Sequence, residues 1–316
     1  MYPPAELVQT EVFARLPESL YLTDQPSTWL AARHARMHSF LEGPAFDRAG
    51  NLWCVDLAHG RILRVDPAGN FEVMVSYDGE PNGLKIHQDG RIFVADHLHG
   101  LMLVDPRTRT IRPYLQHVQR EGLRGLNDLL FASNGDLYFT DQGESALENP
   151  TGRVFRLRAD GRSVDLLMDG LAGPNGLVLN KAENVLYVAI THDNAIYALR
   201  LEPGGAMKKA SRFIQLSGST AGPDGLALDE AGNLAIVHAQ AGTVWLFSPL
   251  GEPLYRIRSC AGLRTTNVAY GGADRRSLYI TEAEQGAILR ARLPHPGKLM
   301  YSHTNQVERT PQETTS

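Results

Sequence analysis

The sequence predicts an all-β protein: a six-bladed β-propeller with four antiparallel strands per blade, closed by an N-terminal strand. Three observations carry this. A short Asn/Asp-Gly-Leu signature recurs as "EPNGLKI" (80–86), "GPNGLVL" (173–179) and "GPDGLAL" (222–228). Six equivalent polar anchors, Glu42, Asn82, Asn127, Asn175, Asp224 and Asn267, follow one another at 40, 45, 48, 49 and 43 residues, the length of a propeller blade. The chain is also rich in glycine (30) and proline (18), as turn-dense β proteins are.

The elements follow in chain order. The segment "EVFARL" (11–16) is expected to supply the outer strand of the last repeat, which lacks one of its own, and so to remove an open sheet edge. Residues 18–40 are longer than a closing strand needs and end at Glu42. They read either as a lid over the channel mouth that brings Trp29, His34 or Arg36 toward a pocket, or as padding on the outer surface. Each repeat then reads as an anchor, an apolar strand, a turn such as "DRAGN" (47–51) or "EAGN" (230–233), and a second strand such as "LWCVD" or "LYFTD". A third strand begins at a small residue, and a fourth appears in five copies, "FEVMV", "IRPYL", "SVDLLM", "RFIQL" and "PLYRIR". One domain over 1–297 and a polar, frayed tail over 298–316 complete the organisation.

Bulk properties exclude several functions. The 316 residues are 43% hydrophobic and 21% charged, which is ordinary globular composition. A net charge of −4 offers nothing to nucleic acid or an anionic membrane. No apolar run approaches the ~20 residues of a membrane span, and no signal peptide is visible, so a cytoplasmic monomer or small homo-oligomer is expected. Both cysteines, Cys54 and Cys260, read as buried free thiols.

First strands line the axis of a propeller, so the anchors converge on one mouth. The second strands return to the same face, where Asp56, Asp96, Asp141, His192, His238 and Glu282 form an outer ring; its aspartates read either as site groups or as strand-end caps. Glu42 and Asp224 supply charge and Asn127 and Asn175 neutral oxygens, a donor set suited to one hard divalent cation: Ca2+ first, with Mg2+, Zn2+, Mn2+ and Fe2+ as alternatives. Asn82 and Asn267 read as turn residues. Arg124, beside Asn127, is a candidate contact for an oxygen-bearing substrate, as are His192, Arg36 and Asn127 itself.

The strings "LEGPAFD" (41–47), "GLNDLLFASNGDLYFTD" (125–141), "GPNGLVL" (173–179) and "GPDGLALDEAGNL" (222–234) together resemble the gluconolactonase/regucalcin (senescence marker protein) family of metal-dependent lactonases, over roughly residues 40–293. The resemblance implies a small-molecule lactone substrate and a metal held by Glu42, Asn175 and Asp224. It further implies that Asn127 is a ligand or substrate contact and that Asp224 is also the catalytic base. Family members carry an arginine two residues before the Asn of "ND"; here Gly125 stands there and Arg124 one place earlier. Other readings of the scaffold are a hydrolase of another small ester, a non-catalytic interaction platform and a calcium buffer. No G-x-S-x-G motif supports an acyl-enzyme route.

Overall fold

The computed structural model of the chain describes residues 3–23 and 27–304. Six antiparallel sheets succeed one another along the chain, and we number them blades 1–6. Their innermost strands are Leu41–Phe46, Pro81–Ile86, Leu126–Phe131, Pro174–Leu179, Gly222–Leu228 and Thr265–Gly271. Each innermost strand packs on its counterparts in the two neighbouring blades, and the sixth packs on the first, so the ring is closed.

The core lies between blades. Alternation on each strand sends one set of apolar side chains to each face of the sheet, and both faces are covered by the adjacent blades. Between blades 1 and 2, for example, Ala45, Val55 and Ile62 meet Leu84, Ile86 and Val94, all buried. The same sandwiching recurs between blades 3 and 4 and between blades 5 and 6.

Closure uses two N-terminal strands. Glu11–Arg15 pairs antiparallel with Ala287–Arg292 (Glu11 opposite Arg290, Arg15 opposite Ala287) and completes blade 6 as expected. Glu6–Gln9 adds in parallel to Pro253–Arg258 as a fifth strand of blade 5, which the sequence did not announce. One continuous segment thus stitches two blades. Between its strands the Thr10 hydroxyl donates to the Arg258 carbonyl (2.9 Å) and accepts from the Cys260 backbone N–H (2.9 Å). Cys260 is exposed at this turn rather than buried, because it follows the outer strand; Cys54, on the second strand of blade 1, is fully buried.

Residues 298–304 correct the expectation of a frayed tail. They cross the mouth of the channel opposite the anchors. Lys298 Nζ donates to Asn180 O (3.3 Å) and pairs with Glu183 (3.1 Å), Ser302 Oγ donates to Phe46 O (3.2 Å), and Tyr301 stacks on Phe131 (5.2 Å). The segment shows no periodicity because Lys298 and Ser302 bind backbone carbonyls of other blades while Met300 and Tyr301 add separate apolar contacts, not a stripe. Residues 305–316 of the expected tail lie outside the described residues. Among the described residues, no helix is long and apolar enough to cross a membrane.

Candidate functional site

Every innermost strand carries a register shift at its anchor. The shifts fall between Glu42 and Ala45, Pro81 and Gly83, Leu126 and Leu129, Pro174 and Leu177, Pro223 and Leu226, and Thr265 and Val268. A β-bulge bends its strand and re-aims the extra residue's side chain. Here they turn five of the six polar anchors into one cavity, and the sixth, Asn267, beneath it. The residue after the anchor is glycine in four copies because the bulged strands nearly touch: a Cβ on Gly176 would meet the Asp224 carbonyl, and one on Gly225 the Asn267 side chain. The repeated Asn/Asp-Gly is therefore an aimed donor followed by a gap for the next blade.

Glu42, Asn82, Asn127, Asn175 and Asp224 form the floor of a cavity of about 330 Å3. Trp29, Arg33 and Phe40 of the N-terminal segment, His97, Gln142–Ala146 and His192 form its wall. The segment docks because the short helix Thr28–Ala32 buries Trp29 and Leu30 against Leu57 and Ala58 of blade 1, with Ser27 Oγ capping Leu30 N–H (3.2 Å). Of residues 18–40, Trp29, Arg33 and Phe40 line the cavity; residues 24–26 are outside the described residues.

The donor set has specific vacancies in its hydrogen bonding. Glu42 Oε2 accepts from Gly43 N–H (2.8 Å) and from Asn267 Nδ2 (3.1 Å). Asn127 Nδ2 donates to Gln142 Oε1 (2.9 Å), which fixes the orientation of its amide. Asn175 Oδ1 and Asp224 Oδ1 are shielded from solvent and have no hydrogen-bond partner among the described residues. An unsatisfied buried acceptor costs about 1–3 kcal/mol, so two on one cavity floor point to an electropositive occupant. Burial, then Asp224, raises the Glu42 carboxyl well above its usual range. Burial, then Asp128, pushes Asp224 up to about 8. A hard cation relieves both penalties, and two carboxylates with two amide oxygens suit one. No group of three or more His, Cys, Asp or Glu side chains among the described residues is arranged to hold a metal, so the candidate set is a mixed one.

Beneath this floor lies a layer that sequence reasoning missed. Asp128 is 2% exposed; its Oδ1 accepts from Leu129 N–H (2.8 Å) and its Oδ2 from Asn267 Nδ2 (3.2 Å). Asn267 is thus not a turn residue but a clamp that donates to two carboxylates, its own Oδ1 being held by Val268 N–H (2.8 Å). The available signal was Asp128 itself, standing where four other repeats have glycine.

The outer ring consists of pins. Asp56 accepts from Phe40 N–H (2.7 Å), Asp96 from Glu80 N–H (3.0 Å) and Asp141 from Gly125 N–H (2.9 Å). Each of these donors lies two residues before an anchor, so the fully buried aspartates set where the anchors start. Arg61 and Arg153 bind Asp56 and Asp141 from the third strands, and Tyr77 OH binds Asp96. His238 accepts from Trp245 and lies 3.2 Å from Gly218 O, and Glu282 accepts from Glu284 and Gln285 N–H.

The structure brings only some of the expected substrate contacts to the cavity. His192 and Asn127 line it; Arg124 and Arg36 do not. Arg124 is held by its backbone N–H on Asp141 and turns its guanidinium outward to Glu121 (2.6 Å) and Thr151 O (2.8 Å). Arg36 is exposed beyond the helix, where His34 (φ 48°) has turned the chain away, and Arg33 takes the place at the cavity wall, over the Trp29 ring at 4.5 Å.

Fold and site define a six-bladed propeller with a mixed carboxylate–amide cluster at its hub. The chain belongs to the SMP-30/Gluconolactonase/LRE-like family, whose sequence profile matches residues 40–284, and is an enzyme of that family. It is 31% identical over 234 residues to lactonase drp35 of Staphylococcus aureus (69% of each chain). It is 32% identical over 263 residues to the gluconolactonase of Zymomonas mobilis (73% of this chain, 72% of that one). Among solved structures it resembles the calcium-binding protein regucalcin of Agrobacterium tumefaciens, with a TM-score of 0.77 at 20% identity over 96% of this chain and 100% of that one.

Proposed function

We propose that the protein hydrolyses a cyclic ester, a sugar lactone, with one divalent cation held by Glu42, Asn127, Asn175 and Asp224. The observation that carries this is the pair of shielded, unpartnered oxygens of Asn175 and Asp224 on the same floor as Glu42. The lactonase relatives support the reaction class, and the calcium-binding neighbour puts Ca2+ first among the ions. When bound, such an ion supplies Lewis-acid polarisation of an ester carbonyl and charge for the oxyanion.

The rest falls to this chain's own side chains. Asp224 accepts the proton of the attacking water and returns it to the ring oxygen as the C–O bond breaks. Gln142 holds the Asn127 amide, and Asn82 and His192 offer polar groups to substrate hydroxyls. Trp29, Phe40 and Leu57 present an apolar wall to the sugar ring and narrow the access of bulk water.

The test is a pH-indicator assay on five- and six-membered aldonolactones with chelator-treated protein and added Ca2+, Mg2+, Mn2+ or Zn2+. Ion-dependent turnover, lost by at least about 100-fold in Glu42→Ala and Asp224→Asn with the β circular dichroism retained, is the expected result. A Glu42→Ala protein that keeps the normal rate removes the site assignment.

A further inference from the structure

We propose that Lys85 sets the net charge of the cation site from the opposite mouth of the channel, and so its preference for divalent ions. Lys85 lies on the innermost strand of blade 2 and lines the second cavity, about 370 Å3, at the end crossed by residues 298–304. Its ammonium group donates to Leu84 O (3.2 Å) and stands 3.6 Å from Asp128 Oδ1. Asp128 Oδ2 is bound to Asn267 Nδ2, which also binds Glu42 Oε2. A continuous polar chain therefore runs from one mouth to the other: Lys85, Asp128, Asn267, Glu42.

Charge gives this chain its meaning. Three carboxylates, Glu42, Asp128 and Asp224, meet at the hub, and Asp128 and Glu42 share one amide that neutralises neither. Among the described residues no lysine or arginine lines the floor on this side; Arg33 stands in the wall, against Glu144 at 4.0 Å. Lys85 is the cation paired with Asp128. With a cation bound and the three carboxylates ionised, Lys85 leaves the hub two negative charges, which a divalent ion cancels. Without it the hub carries three, which favours a trivalent ion of similar size. Lys85 is a positioning residue here: it touches neither substrate nor ion.

The inference rests on the cation site proposed above, and the experiment separates the two. Chelator-treated protein is titrated with Tb3+ by sensitised luminescence, and with Ca2+ by calorimetry and by Tb3+ competition. Lys85→Met should shift the ratio of the two dissociation constants toward Tb3+ by about five-fold. Lys85→Arg should hold the wild-type ratio. Lys85→Met combined with Asp128→Asn should return it, since the hub is again at two negative charges. If both ions weaken together and the ratio stays fixed, Lys85 is only a strut between blades 2 and 3 and the inference is overturned. If wild-type protein binds neither ion, the cation site itself falls, and the inference with it. Should Lys85→Met fail to fold, Asp128→Asn alone serves: its ratio must move the opposite way, and an unmoved ratio is equally fatal.

Discussion

On the proposed reading Asp224 both faces a cation and carries a proton, and its surroundings make those tasks compete. Burial and the neighbouring Asp128 hold its folded proton affinity far above that of an unfolded aspartate, from 3.8 to about 8. Glu42 is displaced in the same direction. The sign follows directly. In ion-free protein both groups favour the protonated form when folded, so their contribution is complete below the unfolded value and disappears as pH rises through the folded one. The melting temperature of chelated protein should therefore fall between about pH 4 and 8. Ca2+ should restore it at the upper end, and Asp224→Asn should flatten the slope; scanning calorimetry across that range checks all three. Not every residue role was legible. Glu42, Asn127, Asn175 and Asp224 stood out because the repeat aligned them. Asp128 did not, since a position occupied elsewhere by glycine reads as backbone. Arg33 was hidden because a five-residue helix gives no period from which to tell its inward face from the outward Arg36.

At the scale of the strand, the anchor motif couples aim to clearance. A bulge turns the donor inward, and the following glycine lets the next blade's strand come close. Threonines then fix the spacing between blades: Thr140 Oγ1 donates to Asn175 O (2.8 Å), Thr191 Oγ1 to Pro223 O (2.8 Å) and Thr266 Oγ1 to Leu41 O (2.8 Å), each acceptor lying at or beside an anchor of the following blade. Gly225→Ala tests the clearance half. Its methyl would strike the Asn267 amide and backbone, so we expect a loss of about 1–3 kcal/mol in stability and weakened ion binding, read by thermal melts and calorimetry. The strands themselves were readable because alternation and turn residues are local. The bulges were not, because a bulge adds no residue type of its own and shows only in the pairing register. Asp56, Asp96 and Asp141 were visible as a ring, yet their work is structural: each pins an anchor's approach by a backbone N–H.

The whole molecule is a ring held shut by a short stretch of chain. Residues 6–9 and 11–15 cover the outer edges of blades 5 and 6, with Ala14 and Leu16 buried beneath. Deleting residues 1–16 uncovers two strand edges at once. The truncated protein should melt at lower temperature and self-associate through those edges, measured by circular dichroism melts and light scattering; a monodisperse product of unchanged stability would refute this view of closure. The antiparallel closing strand was readable because the sixth repeat lacked a partner for its edge. The parallel addition of Glu6–Gln9 was not, since blade 5 already had four strands.

The layer formed by Asp128 and Asn267 has a consequence for traffic. Both residues are 2% exposed, so they stop up the middle of the disc, and residues 298–304 cross its far side. The cavity walled by Trp29 and His192 is thus closed at its inner end, a cul-de-sac among the described residues. On the proposed lactonase reading, the ring-opened acid backs out by the route its parent came in, and until it has gone no successor enters.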